Sequence, residues 1–135
     1  MFKTVLFPID QSREAREAAD VVINIVKKYD SRLVLISVVE EPDKDTPSEE
    51  VMSSPETVAQ LLESAKSMFA EQGIQTETIE RQGIPAFVIC DVADEIDANL
   101  IVMGCRGLGL TEEGATESVT NRVINLSPCP VLIVP

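Results

Sequence analysis

A chain of 135 residues, 44% hydrophobic and 25% charged, has the length of one domain and the composition of a folded globular protein, not of a disordered or collagen-like one. Aspartate and glutamate number 23 against 11 lysines and arginines, and the formal charge of −12 disfavours bulk attraction to nucleic acid or to an anionic membrane. Histidine is absent, which excludes Ser-His-Asp and Cys-His catalysis and the commonest zinc, copper and haem ligand sets.

The chain opens with a short apolar run, Val5-Leu6-Phe7, stopped at once by Pro8 and Asp10. After Ser12, apolar residues recur at three- and four-residue spacing (Ala15, Ala18, Ala19, Val22, Ile25, Val26, Tyr29), leaving Arg13, Glu17, Asp20, Asn24 and the lysines 27 and 28 for the opposite face. This spacing predicts one amphipathic helix. Leu33-Val34-Leu35-Ile36-Ser37-Val38-Val39 follows as a second strand, rich in branched residues and suited to burial on both faces, as in a parallel sheet.

Residues 40–54 break the rhythm: they hold six acids, one lysine, Pro42 and Pro47, and show no periodicity. They form a loop, either a solvated connection or a lid or contact for a protein partner, because loops of this length inside compact domains are often functional. A second helix starts at Ser54-Pro55, where serine caps and proline fits the first turn, and stops near Gly73; its stripe is Val58, Leu61, Leu62, Ala65, Met68 and Phe69. Residues 74–80 alternate weakly and predict an edge strand.

A third helix begins after Gly83 with Pro85 and carries Val88, Ile89, Val92, Ala93 and Ile96. Leu100-Ile101-Val102-Met103 is the fourth strand. A fourth helix is expected from about Ser118 through Arg122, Val123 and Leu126, and Val131-Leu132-Ile133-Val134 is the last strand. The alternation β-α-β-α-β-α-β-α-β calls for an α/β fold, a five-stranded parallel sheet with helices on both faces, in one domain over residues 1–135.

The three cysteines, Cys90, Cys105 and Cys129, include no C-x-x-C pair, and their odd number points to reduced thiols and a cytoplasmic setting. No apolar stretch approaches the ~18 residues needed to cross a bilayer, and the run broken at Pro8 is no leader h-region.

Ligands of doubly wound sheets bind beyond the carboxyl ends of the strands, where strand order reverses. Asp10, in Pro8-Ile9-Asp10-Gln11-Ser12, follows a strand and leads into a helix. It serves either as a helix cap or as an acceptor for ribose hydroxyls. Met103-Gly104-Cys105-Arg106-Gly107-Leu108-Gly109 is a glycine-rich turn, and without Cβ atoms its backbone N–H groups can approach an anion. It matches neither the dinucleotide G-x-G-x-x-G nor the phosphate-loop pattern. Ser118 and Thr120 at the expected start of the last helix add free N–H groups and a positive dipole end. A plain turn remains the alternative.

Asp10-Gln11-Ser12 after the first strand, the Gly83-Ile84-Pro85-Ala86 helix start, the segment from Gly104 to Ser118 and the ending Ser127-Pro128-Cys129-Pro130-Val131-Leu132-Ile133-Val134 together resemble the universal stress protein family along essentially the whole chain. In the family's G-x2-G-x9-G-[ST] signature, Gly104, Gly107 and Ser118 align without a gap. The resemblance implies an open twisted sheet of the Rossmann-like, adenine nucleotide alpha hydrolase-like kind and a homodimer paired through Val131 to Val134. It also implies an adenine nucleotide ligand, ATP or an AMP-type molecule, with or without Mg2+ or Mn2+. Asp10, following Pro8 and Ile9, would hold the ribose; Val38 or Val39 and Met103 would flank the adenine. Gly104, Gly107, Ser118, Val119 and Thr120 would surround ribose and phosphates, with Arg106 and Gly109 in the same loop.

One position departs from the pattern. Glu117 stands where the family has its third glycine. Two unit charges about 4 Å apart at an effective dielectric near 20 interact by roughly 4 kcal/mol, nearly a thousandfold in affinity. Thr111-Glu112-Glu113 also replaces basic residues of the loop. Glu117 is compatible with a nucleotide if it points to solvent, shares a divalent cation with the phosphates, or is bypassed by a turn at Gly114. Two functions follow: a non-catalytic nucleotide-binding stress protein, or a stress-response interaction module whose phosphate site Glu117 has closed and whose partner surface is the acidic loop. No activated general base is evident for ATP hydrolysis, and no catalytic or metal-ligating residue is assigned.

Overall fold

The computed structural model describes residues 2–9, 14–39, 55–104 and 115–134. The order of elements is β1 (Thr4–Pro8), α1 (Glu14–Tyr29), β2 (Arg32–Val39), α2 (Pro55–Glu71), β3 (Thr76–Gln82), α3 (Pro85–Glu95), β4 (Leu100–Gly104), α4 (Ala115–Leu126) and β5 (Val131–Val134). The strands form one parallel sheet in the order β3-β2-β1-β4-β5. The chain winds outward from β1 to β3, then crosses β1 to lay down β4 and β5, so strand order reverses at the β1/β4 seam.

The pleat sorts the apolar residues between two layers. Val5, Phe7, Leu33, Leu35, Val39, Leu100 and Val102 pack with Ala18, Ala19, Val22 and Val26 of α1 and Val58, Leu62 and Phe69 of α2. Leu6, Val34, Ile36, Val38, Ile101 and Met103 pack with Ile89, Val92 and Ala93 of α3 and Val123 of α4. The near-continuous apolar runs of β1, β2 and β4 are therefore what burial on both faces requires, at about 1.5–3 kcal/mol for each large side chain fully removed from water. Phe7 and Phe69 meet edge to face with ring centroids 6.2 Å apart, which ties β1 to α2.

Helix ends follow local chemistry. Lys27 and Lys28 lie in the last turn of α1, where cations suit the negative dipole end, and Asp30 leaves the helix with φ 51°. Gly73, at φ 78°, ends α2, and the N–H of Ile74 returns to the carbonyl of Phe69 at 3.0 Å. Pro85 opens α3 without a side-chain cap.

Two expectations change. The apolar run of β5 suits cover on both faces, yet the strand is only partly buried, with Leu132 exposed; its place at a sheet edge is where the expected pairing through Val131 to Val134 puts it. The last helix begins at Ala115, three residues before Ser118; its polar first turn carries no apolar stripe, so the sequence pattern picks the helix up late. β3 is the other edge, as its weak alternation implies. No described helix is long and apolar enough to cross a membrane.

Candidate nucleotide-binding crevice

The seam between β1 and β4 is closed at one end only. At the amino end, the N–H of Thr4 donates to Asn99 Oδ1 at 2.9 Å and the N–H of Asn99 donates to the Thr4 carbonyl at 2.8 Å. In a parallel strand, every second residue directs both its N–H and its C=O to the same neighbour. Thr4 and Leu6 thus face β4 and so does Pro8, whereas Ile9 faces β2 and donates to the carbonyl of Ile36 at 2.9 Å. Pro8 has no N–H to give. The β1–β4 ladder accordingly ends at Leu6↔Ile101, while β1 stays paired with β2 to Pro8↔Ile36 and β4 with β5 to Gly104↔Val134. The seam loses its ladder at the carboxyl ends of the strands, at the point of reversal where doubly wound folds take their ligands.

Three adjacent strands supply the walls. Val38 of β2 and Met103 of β4 are both buried on the α3/α4 face, and the pleat puts Pro8, two residues after Leu6, on that face between them. Val39 and Ile9 belong to the opposite, α1/α2 face. Of the two valines named for the adenine, Val38 is therefore the one that shares a layer with Met103. Gly104 ends β4, half-buried. The described walls carry no charge and suit a flat, apolar ring better than a phosphate.

Helix α4 closes the α3/α4 side. Val119 packs against that layer, and Thr120 is only 7% exposed. Glu117 and Ser118 are the third and fourth residues of the helix, so Glu117 stands among the residues whose N–H groups are free, while Ser118 and Thr120 follow that first turn. The expected role of Ser118 and Thr120 as helix-start N–H donors is corrected accordingly. What Thr120 offers is its side chain: Thr120 Oγ1 is buried and, among the described residues, has no hydrogen-bond partner. Such a group costs about 1–3 kcal/mol to leave unmatched. Asp10, Arg106, Gly107 and Gly109 lie outside the described residues, as do Cys105, Gly114 and the acidic loop 40–54.

Two contributors escape a reading of the sequence for site residues. The N–H of Gly83 donates to the carbonyl of Val39 at 3.0 Å, tying the start of α3 to the end of β2 beside the crevice. Gly83 has φ 145°, and a Cβ there would meet Val88 Cγ2 at 2.9 Å. Ser37, one residue before Val38, is 1% exposed, and its Oγ has no partner among the described residues. A lone hydroxyl inside the 33–39 run was its only signal. The two described thiols stand elsewhere: burial, then Asp91 and Cys129, push Cys90 above the usual thiol range, and burial raises Cys129 against an opposing hydrogen bond from Ser127.

An open, doubly wound parallel α/β sheet whose central seam is unladdered at the point of reversal defines a class of crevice-binding domains. Within that class, residues 1–135 match the model of the universal stress protein family, and the chain belongs to that family. Universal stress protein Sll1654 of Synechocystis is 63% identical over 136 residues, spanning 100% of this chain and 87% of its own. Among solved structures, a universal stress protein in complex with cAMP superposes with a TM-score of 0.76 at 23% identity, covering 99% of this chain and 97% of that one. The universal stress protein of Archaeoglobus fulgidus in complex with dAMP does so with a TM-score of 0.73 at 20% identity, covering 99% and 98%.

Proposed function

We propose that this chain is a single-domain, non-catalytic stress-response protein of the cytoplasm that binds an adenine nucleotide at the carboxyl ends of β1 and β4. The observation that carries this reading is the unladdered seam at Pro8, walled on one face by Val38 and Met103, with the unmatched hydroxyl of Thr120 on the helix that covers that face. The base lies against Val38 and Met103, Asp10 takes the ribose, and Gly104, Arg106, Gly107, Gly109 and Ser118 surround the phosphates. Two structural neighbours bind adenosine monophosphates, cAMP and dAMP, which favours a ligand of low charge over ATP for a site that includes Glu117. Mg2+ or Mn2+ enters only if a longer phosphate chain must be reconciled with that carboxylate. The apolar edge strand β5 pairs with its counterpart in a homodimer, which removes an exposed edge.

The test is to purify the protein natively, denature it and identify any released nucleotide by chromatography. Calorimetric titration of ATP, ADP, AMP, cAMP and cyclic di-AMP with and without Mg2+ follows, on the wild type and on Glu117→Gly. Monophosphate binding by the wild type, with ATP weaker and rescued by Glu117→Gly, is the expected result. A second reading rests on Glu117 itself. If the wild type carries and binds nothing at millimolar concentration while Glu117→Gly binds, the site is closed and the protein acts through protein contacts, with the 40–54 loop the first surface to delete.

A further inference from the structure

Outside the crevice, α3 and α4 leave between them a cavity of about 250 Å³ lined by Phe87, Cys90, Asp91, Asp94, Leu126 and Pro128. The geometry points to this groove as a docking site for a protein segment that presents one large apolar side chain between lysines or arginines, and this role is independent of nucleotide binding.

The apolar part of the argument is local. Phe87 and Leu126 are 47% and 48% exposed although large and hydrophobic, and Cys90 is nearly buried between them. The volume falls below the ~300–1,000 Å³ usual for small-molecule pockets and is of the order of one anchoring side chain, the form that interface hot spots take. No residue of the crevice lines the cavity.

The charge on the groove selects the anchor's neighbours. Asp91 and Asp94 stand one turn apart on α3, both exposed, and neither takes part in the ion pairs found among the described residues, which are Arg32–Glu77 and Arg81–Glu95. Arg81, the basic residue preceding α3, is engaged by Glu95. In a parallel sheet all helices run back toward the amino ends of the strands, so α3 and α4 point their carbonyl ends the same way. Neither helix carries a basic residue in its last turn. Two negative dipole ends therefore lie beside two carboxylates that have no ion pair among the described residues, where helices ordinarily place cations. Lysines or arginines beside a docked apolar side chain would supply the cations that the last turns of both helices lack. An acidic segment would meet like charge from Asp91 and Asp94 and be disfavoured in this groove.

The test uses the full chain and a fluorescein-labelled octapeptide with an Ala-Phe centre flanked by three lysines on each side, followed by fluorescence anisotropy. Companion peptides carry Ala-Ala at the centre or glutamates at the flanks. The expected result is binding of the first peptide alone, weakened about tenfold by raising salt from 50 to 300 mM. The double variant Asp91→Asn/Asp94→Asn, both surface positions, should weaken it by at least about tenfold, and Phe87→Ser by about fivefold or more, with unchanged circular dichroism. Equal binding of the Ala-Ala peptide would mean attraction by net charge alone and would overturn the proposal, as would an unchanged affinity in the double variant. Sedimentation velocity covers the remaining occupant. Self-association of the wild type that Phe87→Ser abolishes would assign the groove to a second copy and overturn the basic segment.

Discussion

Thr4 and Asn99 bind each other reciprocally, the N–H of each donating to an oxygen of the other, at 2.9 and 2.8 Å. Asn99 replaces one ladder step with its side-chain oxygen and so fastens the amino end of the seam whose carboxyl end Pro8 leaves unladdered. Asn99→Ala removes one of these bonds from a half-buried position and should cost about 1–2 kcal/mol in urea unfolding. A loss near zero would mean that the two strands are held by packing alone.

Gly83 gives a second, sharper expectation. At φ 145°, with a Cβ only 2.9 Å from Val88 Cγ2, Gly83→Ala meets both backbone strain and a clash at the bond that holds Val39. The variant should lose about 1–3 kcal/mol of stability. Gly73, at φ 78° but with open space around it, isolates the backbone part: Gly73→Ala should cost only about 1 kcal/mol. Equal losses at the two glycines would show that Val88 yields freely.

Thr120 separates folding from binding. Thr120→Val keeps the shape and deletes a hydroxyl that has no partner among the described residues, so thermal stability should hold or rise. If that hydroxyl meets the ligand, nucleotide affinity measured by calorimetry should fall about tenfold, the worth of one hydrogen bond. A drop in stability with unchanged affinity would assign Thr120 to the core.

The Arg32–Glu77 pair sets a pH dependence across the β2/β3 edge. The guanidinium hydrogen bonds, one of them Arg32 Nη2 to Glu77 Oε1 at 2.8 Å, hold the Glu77 carboxyl below its ordinary range. Its contribution to stability is therefore complete above the carboxylate's unfolded value and disappears as pH falls through the lowered folded value. Both side chains are about half exposed, so the pair is worth less than about 1 kcal/mol. Glu77→Gln should be slightly less stable than wild type at pH 7 in low salt, and the two should converge in acid and in 1 M salt. A difference that persists in acid would point to packing of the glutamate stem.

The strands β1, β2 and β4 and the stripes of α1, α2 and α3 are legible because period and composition are properties of a segment. Relations between segments are not. Val38 and Val39 are interchangeable until the sheet's two faces are assigned, and the pleat then divides them. Val131 to Val134 reads like β4 in composition, and its place at an edge is legible only through the strand pairing that the family resemblance implies, because apolar content does not say how many neighbours a strand has. Pro8 looks like a strand stop; that it withholds a donor from β4 in particular follows only from the order β3-β2-β1-β4-β5. Ser118 and Thr120 read as the start of α4 because Ala115, Glu117 and their neighbours lack the apolar spacing by which a helix start is recognised, whereas the helix begins at Ala115. Among the site residues, Gly104 and Met103 were placed by sequence at a strand end, and they are there.

Pro8 acts as the stop of a zipper. The depth of the gap between β1 and β4 is set by where an imino acid falls along the central strand, not by the bulk of the side chains around it. Val38, Met103 and Val119 can therefore drift among shapes that suit different occupants without the gap healing. One proline, moved two residues toward either end, would deepen or shut it.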